Sequence, residues 1–506
     1  MASLLERYDK DIAGVLSCYD RVVIHGSLPG IGHSEGMTAY LNAHNIRIFD
    51  YTKEFAEPLR ELIRSNAERL AEENGIEIQF LRKGNIRKES FVEKILAERG
   101  RQPGMVAILS AMEACPAYKP WHDKKTHRTY VRPDTGKCLH YYFYFIDAKY
   151  GLCYLRVPTW CPFRLQFYFN GHNRLAAALD KAGVDYRLED NAFTRIDDFN
   201  KAQKLADAFD VRELHHLLDR YARKLCPVVR KLGMTYHWSL MQVEYATDIV
   251  FRSREALAPL YETIVRTAIH AVKPEKVATF LGRRLTASFN AELGNNFNTR
   301  IEGTRIRHQM GSASIKMYDK FGLVLRIETT TNDVSFFKLH RTVEHRDGST
   351  EFKPAPLKKN IYSLSDLRRI LAASNRRYLE FISAIDDPSA GTKLLDKISR
   401  PVQDEGRNYK GFNFFSFDDL AIMLAIARGE HAISGFRNAD LRHRLAGFSS
   451  SQISRQLKRL RLHGLIKRTA SRYKYYLTSL GRRAVLTGLK LRELFVIPQL
   501  AAPITA

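Results

Sequence analysis

The spacing of hydrophobic positions changes several times along the chain, and residues 1–115 combine helical and strand periods. A strand is predicted over residues 17–26, where it enters a glycine-rich turn, and an amphipathic helix over residues 55–74. We therefore expect a small α/β domain with parallel strand pairing in this region. Its last three elements, a strand, a helix and a strand, are predicted at residues 76–81, 88–99 and 105–111.

Residues 116–350 have a different pattern, with aromatic residues concentrated in short alternating segments. A predominantly helical stretch is predicted over residues 197–289, and β-structure returns over residues 297–345. This pattern indicates a central α+β domain. Its aromatic-rich strands are predicted at residues 138–146, 152–157 and 163–170.

A proline-containing linker and one long helix are predicted over residues 351–410, before a C-terminal domain over residues 411–506. Within that domain Ile453, Leu457 and Leu460 form one apolar stripe on a helix. The fold class predicted for the whole chain is therefore α+β and multidomain. The C-terminal elements are three helices at residues 417–427, 438–445 and 452–463, followed by hairpin strands at 465–468 and 473–477.

Charge is concentrated in this last domain, where residues 431–500 hold fifteen Lys and Arg against two Asp and Glu. A basic patch on a helix that could enter a DNA groove is the electrostatic footprint of a nucleic-acid-binding protein. Base or phosphate contacts are predicted for the helix residues Gln452, Ser454, Arg455, Lys458, Arg459 and Arg461, and backbone contacts for the hairpin residues Arg468, Arg472 and Lys474.

The order of helix, helix, capped helix and Arg-tipped hairpin over residues 415–489 resembles the MarR-type winged helix-turn-helix. That resemblance implies a recognition helix in the major groove and a wing on the backbone or minor groove. It covers under a fifth of the chain. The alternative is a helical bundle whose basic face is merely solvated.

Composition narrows the classes of protein further. The 506 residues carry a net charge of +25, 45% hydrophobic residues, 28 Phe and 24 Tyr, which argues against disorder. No apolar run is long enough to span a bilayer and no signal peptide is evident, so no membrane partner is expected. The six cysteines lack paired spacing, as expected for buried thiols of a cytoplasmic protein.

The most suggestive chemistry lies in residues 311–328. A three-residue loop at 321–323 would set Tyr318 opposite Arg326 and Lys316 opposite Glu328 on one polar face. A tyrosine beside cations, with a carboxylate that could hold a divalent ion, is one way to attack a phosphodiester.

This segment, Gly-Ser-x-Ser…Tyr-Asp-Lys…Leu-Arg-x-Glu, resembles part of the rolling-circle replication initiators of plasmids and phages. The resemblance implies Tyr318 as nucleophile and Glu328 as a metal ligand. Lys320 and Arg326 are the candidate catalytic cations beside the tyrosine, and Mg²⁺ or Mn²⁺ is the expected metal. The alternative is a hairpin held by ordinary cross-strand contacts.

Three further groups of residues could carry chemistry. Lys124, Lys125 and Arg128 form a basic loop suited to single strands or phosphates. The nearby thiols and histidines, Cys115, Cys138 and His140 among them, lack zinc spacing and indicate core thiols. Glu244 and Asp248, spaced four apart on a predicted helix, could pair as metal ligands, although a structural role is favoured.

Over the whole chain, the strings Tyr-Asp-Arg-Val-Val-Ile-His-Gly and Asn-Gly-His resemble a group of bacterial proteins, but that resemblance supplies no mechanism. The sequence predicts a DNA-binding protein, with strand nicking or replication initiation for a mobile element or plasmid as its function. The alternatives are a non-enzymatic MarR-like transcriptional regulator and an RNA-binding protein. Homo-oligomers are compatible with any of these functions.

Overall fold

Two compact units, Met1–Asp386 and Asp387–Ala506, make up the chain in the computed structural model. The domain boundaries predicted near residues 115 and 350 both fall inside the first unit. The residues that the structure describes are 4–82, 88–272, 274–283, 297–302, 305–345, 347–386, 388–428, 431, 435–445, 447–469, 473–497 and 500.

The described part of the first unit contains fifteen strands. In chain order they are β1 (Ile12–Ser27), β2 (Ile78–Phe80), β3 (Gly104–Asp123), β4 (Arg128–Asp147), β5 (Gly151–Pro158), β6 (Leu165–Asn170), β7 (Tyr186–Glu189), β8 (Ala192–Ile196), β9 (His237–Phe251), β10 (Phe297–Glu302), β11 (Arg305–Met310), β12 (Ala313–Lys320), β13 (Val324–Thr331), β14 (Lys338–Glu344) and β15 (Thr350–Pro356).

Its helices pack on both faces of these strands. They are α1 (Leu4–Arg7), α2 (Ser34–Ala43), α3 (Glu57–Glu73), α4 (Lys88–Arg99), α5 (Gly171–Ala182), α6 (Phe199–Asp207), α7 (Val211–Leu225), α8 (Val228–Leu232), α9 (Arg254–Ala271), α10 (Pro274–Phe280) and α11 (Leu364–Asp386).

Eleven of the described strands form one sheet in the order β10-β11-β12-β13-β9-β1-β6-β5-β4-β3-β2. Its neighbours pair antiparallel except β2 and β3, which pair parallel and enclose α4. The predicted β-α-β unit is therefore confirmed, but it forms one edge of a larger sheet. Residues 1–115 do not make a separate domain, because β1 pairs with β6 on one side and β9 on the other.

The helical stretch predicted over residues 197–289 is only partly confirmed. Helices α6, α7 and α8 occur, but residues 237–251 form β9 in the middle of the sheet. The sequence contains a signal for this strand, because Val243, Tyr245 and Ile249 follow a period of two and such β-branched and aromatic residues favour strands. Pairing with β1 and β13 along both edges fixes the strand.

One face of the sheet carries the main core. Ile24, Phe143, Phe167 and Leu214 are fully buried in it, and α2, α3, α7, α8 and α11 contribute to the same cluster. On the opposite face α5 and α6 pack with the β7–β8 hairpin over Leu16 and Cys18 of β1, while α4 packs over β3 and β4.

The second unit is small and mainly helical. Its core includes Ile453, Leu457 and Leu460, so the predicted apolar stripe is confirmed. An antiparallel bridge joins Phe436 to Tyr475 beside the last hairpin. Its described elements are α12 (Pro388–Ser399), β16 (Val402–Asp404), β17 (Arg407–Tyr409), α13 (Phe417–Ile426), α14 (Asn438–Arg442), α15 (Ser450–Leu462), β18 (Ile466–Thr469), β19 (Lys474–Leu477) and α16 (Ser479–Leu491).

Candidate functional site

The β12–β13 hairpin carries the residues that the sequence predicted to be reactive. Its strands pair with Tyr318 opposite Arg326 and Lys316 opposite Glu328, and three residues, 321–323, connect them. This is the predicted register. Paired residues of an antiparallel sheet share a face, so the four side chains lie together.

Strand β9 extends this group on the other side of β13. Asp248 lies opposite Arg326 and Glu244 lies opposite Thr330, so both carboxylates share the face that carries Arg326 and Glu328. The common face expected for Glu244 and Asp248 is therefore present, although on a strand, because residues four apart return to one face in either structure.

A β-bulge brings Asp20 to the same face. The pairing of β1 with β9 shifts between Tyr19 and Val22, which leaves one extra residue on β1. Arg21 lies opposite Asn170 of β6 in a regular register. We call this side of the sheet the polar face. It carries Asp20, Arg21, Tyr168, Glu244, Asp248, Arg307, Lys316, Tyr318, Arg326 and Glu328.

Helix α5 begins directly against β1. The Asn170 side chain caps the helix by accepting from the backbone N–H of His172 at 2.8 Å, and its amide donates to Asp20 at 2.8 Å. A Cβ atom at Gly171 would overlap the carbonyl oxygen of Tyr19, so only glycine permits this approach. The approach places the buried His172 beside Asp20.

Arg326 is fully buried at the centre of this group. Its Nε and Nη2 donate to the two oxygens of Asp248 at 2.6 and 2.7 Å, and Nη2 also contacts the Asn191 carbonyl oxygen at 2.6 Å. Its Nη1 lies 3.4 Å from Asp20, and Nη2 lies 3.0 Å from Nε2 of His172. This arrangement does not support the role predicted for Arg326 as a catalytic cation, because its donors are already bound inside the protein.

The protonation of His172 follows from this contact. Burial and the Arg326 cation oppose a second proton on His172, while Cys18, Asp20 and Asp248 favour it. However, Arg326 only donates, so its contact at Nε2 requires a neutral ring with the proton on Nδ1. We assign the neutral form, with Nδ1 at 3.3 Å from Asp20. Burial raises the pKa of Asp20, but Arg326 and His172 outweigh it and hold that pKa well below its usual range.

Tyr318 and Glu328 are directly hydrogen-bonded. The Tyr318 hydroxyl donates to Oε2 of Glu328 at 2.5 Å, and the Lys316 ammonium donates to Oε1 at 2.7 Å. Glu328 is 1% exposed, whereas Tyr318 and Lys316 are half-buried. Burial, followed by the Glu328 carboxylate, raises the pKa of Tyr318 well above its usual range. The hydroxyl is therefore protonated unless a cation offsets the charge of Glu328.

Glu244 is the group closest to neutral pH. Its Oε1 accepts from Gln242 at 2.9 Å and lies 3.5 Å from the Lys316 ammonium. Burial and then the negative charge of Glu328 raise the pKa of Glu244 to about 7. This carboxyl can therefore hold or release a proton near neutral pH.

Carboxylate oxygens of Asp20, Glu244 and Glu328 all lie within 4.8 Å of one another. Oxygen ligands at such spacing suit Mg²⁺ or Mn²⁺. Together with Asp248, four carboxylates here face two cationic partners, Arg326 and Lys316. A divalent cation would balance the excess negative charge, so these three carboxylates fit the predicted Mg²⁺ or Mn²⁺, and Glu328, the predicted ligand, is one of them.

Lys320 lies at the edge of this group. Its ammonium contacts Asp190 at 3.0 Å and also bonds the side chain of Asn191 in the β7–β8 turn. The Asn191 amide in turn donates to Asp20 at 2.8 Å. Lys320 therefore acts on the group by holding Asn191 and not by direct contact with the carboxylates.

In the second unit, Arg459 does not have the position predicted for it. It is 4% exposed, its Nη1 and Nη2 bond Asp419 at 2.6 and 2.9 Å, and its Nε donates to the Lys410 carbonyl oxygen. Its guanidinium also lies 3.9 Å from the centre of the Phe412 ring. The predicted DNA contact of Arg459 is wrong, because this side chain is part of the core.

Other residues of α15 are partly engaged. Lys458 pairs with Asp404 and Glu405 at 2.8 and 3.0 Å, so a phosphate would have to displace these exposed pairs. Gln452 completes a capping box, and the Ser454 hydroxyl accepts from an asparagine at 2.8 Å. These contacts set the start of the helix.

The remaining predicted DNA-binding residues lie at the surface. Arg455, Arg461 and Arg468 are exposed, and the Arg468 guanidinium lies 4.4 Å from the Tyr473 ring centre. Lys474 is half-buried, and Arg472 lies outside the described residues. The structure thus leaves Arg455 as the exposed cation nearest the middle of α15.

The basic loop of the first unit is the turn between β3 and β4. Lys124, Lys125 and Arg128 are all exposed there, and Asp123 closes the turn by accepting from the Lys125 N–H at 2.9 Å. These side chains are exposed and could contact a binding partner. The hairpin contributes no side chain to the acidic group formed by Asp20, Glu244, Asp248 and Glu328.

The thiols behave as expected for core residues. Cys115, Cys138 and His140 are buried, and among the described residues they do not form a group spaced for metal binding. The Arg156 guanidinium approaches His140 at 3.0 Å instead.

Comparison with protein-family models finds no match for this chain, and comparison with curated proteins finds none either. In the part of the chain that the structure describes, no helix has the length and apolar character needed to cross a membrane.

Proposed function

We propose that this protein is a DNA strand-nicking enzyme in which Tyr318 attacks a phosphodiester. The observation that carries the proposal is the 2.5 Å hydrogen bond from Tyr318 to Glu328, inside a group of three carboxylates spaced for a divalent cation. A nucleophile, a proton acceptor and metal ligands are the parts that this chemistry needs.

Each side chain of the site has a separate role in the proposed reaction. The oxygen of Tyr318 forms a bond to phosphorus while the bond from phosphorus to one deoxyribose oxygen breaks. Glu328 accepts the phenolic proton, the leaving oxygen takes a proton from water, and the Lys316 ammonium stabilises the charge that develops on the phosphate. Mg²⁺ or Mn²⁺ held by Asp20, Glu244 and Glu328 would polarise the phosphate and lower the pKa of Tyr318.

Arg326 and His172 have a different part in this proposal. They are buried and bonded to Asp20 and Asp248, so they position the carboxylates and do not touch substrate. Lys320 likewise positions Asn191. The cation that meets phosphate directly is Lys316.

The second unit supplies the proposed DNA attachment. Helices α13, α14 and α15, the β18–β19 hairpin and the Phe436–Tyr475 bridge follow the order of a winged helix-turn-helix. Exposed Arg455, Arg461 and Arg468 would face the duplex. We infer that this unit brings the enzyme to duplex DNA.

The test is a cleavage assay with supercoiled plasmid and labelled single-stranded DNA in the presence of Mg²⁺ or Mn²⁺. We expect nicked product and a covalent protein–DNA adduct that survives denaturation, and both should disappear in Tyr318→Phe. Tyr168→Phe is the matched control, since it removes a hydroxyl from the same polar face and should keep activity. DNA binding without cleavage on every substrate would support the non-enzymatic regulator instead.

A further inference from the structure

Two half-buried arginines on the polar face lie on opposite sides of the acidic group. Arg307 of β11 pairs with Lys316, which pairs with Glu328, so these three side chains form one row across the sheet. On the other side, Arg21 lies on β1 at the bulge beside Asp20. Four strand spacings separate β11 from β1, or about 19 Å.

Neither guanidinium has a hydrogen-bond or ion-pair partner among the residues that the structure describes, and Nε of each is buried. The Arg21 guanidinium lies 5.3 Å from the centre of the Tyr168 ring, which supports it from the side. This differs from Arg326 and Arg459, whose donors meet acceptors of the protein.

A half-buried charge without a bonded partner is unfavourable, because the group has lost part of its hydration and gained no hydrogen-bonded counter-charge. The carboxylates of Glu244 and Glu89 act on Arg21 only from a distance, without a hydrogen bond to it. A phosphate would supply that counter-charge, since guanidinium and phosphate form strong, charge-assisted hydrogen bonds. The two arginines therefore fit an anionic chain that crosses the sheet strands and passes the acidic group between them.

We propose that Arg21 and Arg307 bind the phosphates on either side of the cleaved bond, and that the DNA on this face is single-stranded. This inference rests on the proposed function for its choice of DNA. A single strand is favoured because Tyr318 is half-buried and the Glu244 side chain is only 12% exposed, so a thin, flexible chain reaches them more readily than a duplex. Charge complementarity with single strands is the usual basis of such binding.

The experiment measures binding alone, in EDTA and in the Tyr318→Phe background, by fluorescence anisotropy of labelled oligothymidylate. We expect Arg21→Ala and Arg307→Ala each to weaken binding about tenfold, as for a charged hydrogen bond. Each should also lower the slope of log affinity against log salt by about 0.7, the value for one phosphate contact on a single strand.

Matched controls separate contact from folding. Arg187→Ala removes a side chain that is 73% exposed and paired with Glu189, and it should leave single-strand affinity unchanged. Arg21→Lys keeps the charge and should restore most of the salt slope, which a purely structural role of Arg21 would not predict. Arg455→Ala should weaken duplex binding and leave oligothymidylate binding intact.

Unchanged affinity and salt slope in both alanine variants would overturn the inference, as would tighter binding of oligouridylate than of oligothymidylate. Because binding is read without cleavage, failure of nicking and failure of this surface are distinguishable. Binding that depends on Arg21 and Arg307 in a protein that never nicks DNA would support the single-strand surface and contradict the proposed nicking activity.

Discussion

Arg326 and Asp248 form a bidentate ion pair in the middle of the sheet. Nε and Nη2 of Arg326 lie 2.6 and 2.7 Å from the two carboxylate oxygens of Asp248, and neither residue is more than 1% exposed. The pair joins β13 to β9 at directly opposed positions. Both charges are removed from water, so each depends on the other for its counter-charge.

Removing Arg326 should therefore affect folding before it affects chemistry. We expect Arg326→Ala to lower the free energy of unfolding by about 3–5 kcal/mol, since it leaves Asp248 and Asp20 as uncompensated buried charges. Urea denaturation measures the effect, with Arg187→Ala as an exposed control expected to change stability by less than about 0.5 kcal/mol. A stable Arg326→Ala protein that binds DNA but cannot nick it would instead place Arg326 in catalysis.

Glu244 should make stability depend on pH near neutrality. Its pKa is about 7 in the folded protein against a usual value of 4.5, so the folded state binds the proton more tightly. The resulting stabilisation is complete below pH 4.5 and is lost as pH rises towards 7, about 3 kcal/mol in all. Glu244→Gln does not titrate, so its stability relative to the original protein should rise across this interval.

Glu113→Gln is the matched control with the opposite sign. Burial raises the pKa of Glu113, but hydrogen bonds from Tyr142 and Lys88 outweigh it and lower that pKa. Its carboxylate therefore stabilises the fold above the ordinary glutamate pKa, and Glu113→Gln should lose relative stability as pH rises. Parallel pH profiles for the two variants would contradict the assigned environment of Glu244.

Metal binding should release a proton. Mn²⁺ among Asp20, Glu244 and Glu328 would lower the pKa of Glu244, so binding at about pH 6 should release about one proton and binding at about pH 8 far fewer. Titration calorimetry in buffers of different ionisation enthalpy counts these protons. Glu244→Gln should bind more weakly and release none, whereas Glu113→Gln should match the original protein. Equal proton release at both pH values would exclude Glu244 as a ligand.

Two arginines four residues apart on α15 should give opposite phenotypes. Arg459→Ala removes the buried partner of Asp419 and should destabilise the second unit by about 3–5 kcal/mol. Arg455 is exposed, so Arg455→Ala should leave thermal unfolding unchanged and weaken duplex binding. Circular dichroism and anisotropy with a labelled duplex measure the two effects. Normal duplex affinity in Arg455→Ala would contradict the prediction that α15 contacts DNA.

Local pattern was enough to predict the β12–β13 hairpin. Period-two alternation and the three-residue loop set Tyr318 opposite Arg326 and Lys316 opposite Glu328, since a shift by one residue would mix the two faces. Helical spacing of apolar residues likewise predicted the buried stripe of α15. Both depend on residues close together in sequence.

The rest of the acidic group could not be predicted in this way. Asp20 and His172 are 152 positions apart in sequence, and only tertiary pairing places them 3.3 Å from each other. Helical spacing also fitted Glu244 and Asp248, so their strand was missed. The burial of Arg326 and Arg459 depends on long-range partners, so local pattern could not show that the predicted catalytic cation and the predicted DNA contact are both core residues.

The position of β1 has a consequence for how the chain folds on the ribosome. This strand lies inside the sheet, yet its two neighbours are β6 and β9, which end at Asn170 and Phe251. At about 5–20 residues per second, translation from residue 27 to residue 251 takes about 10–45 s. During that time one edge of an apolar sixteen-residue strand has no partner, and such edges are prone to aggregation. Nascent chains should therefore depend on chaperones until β9 emerges.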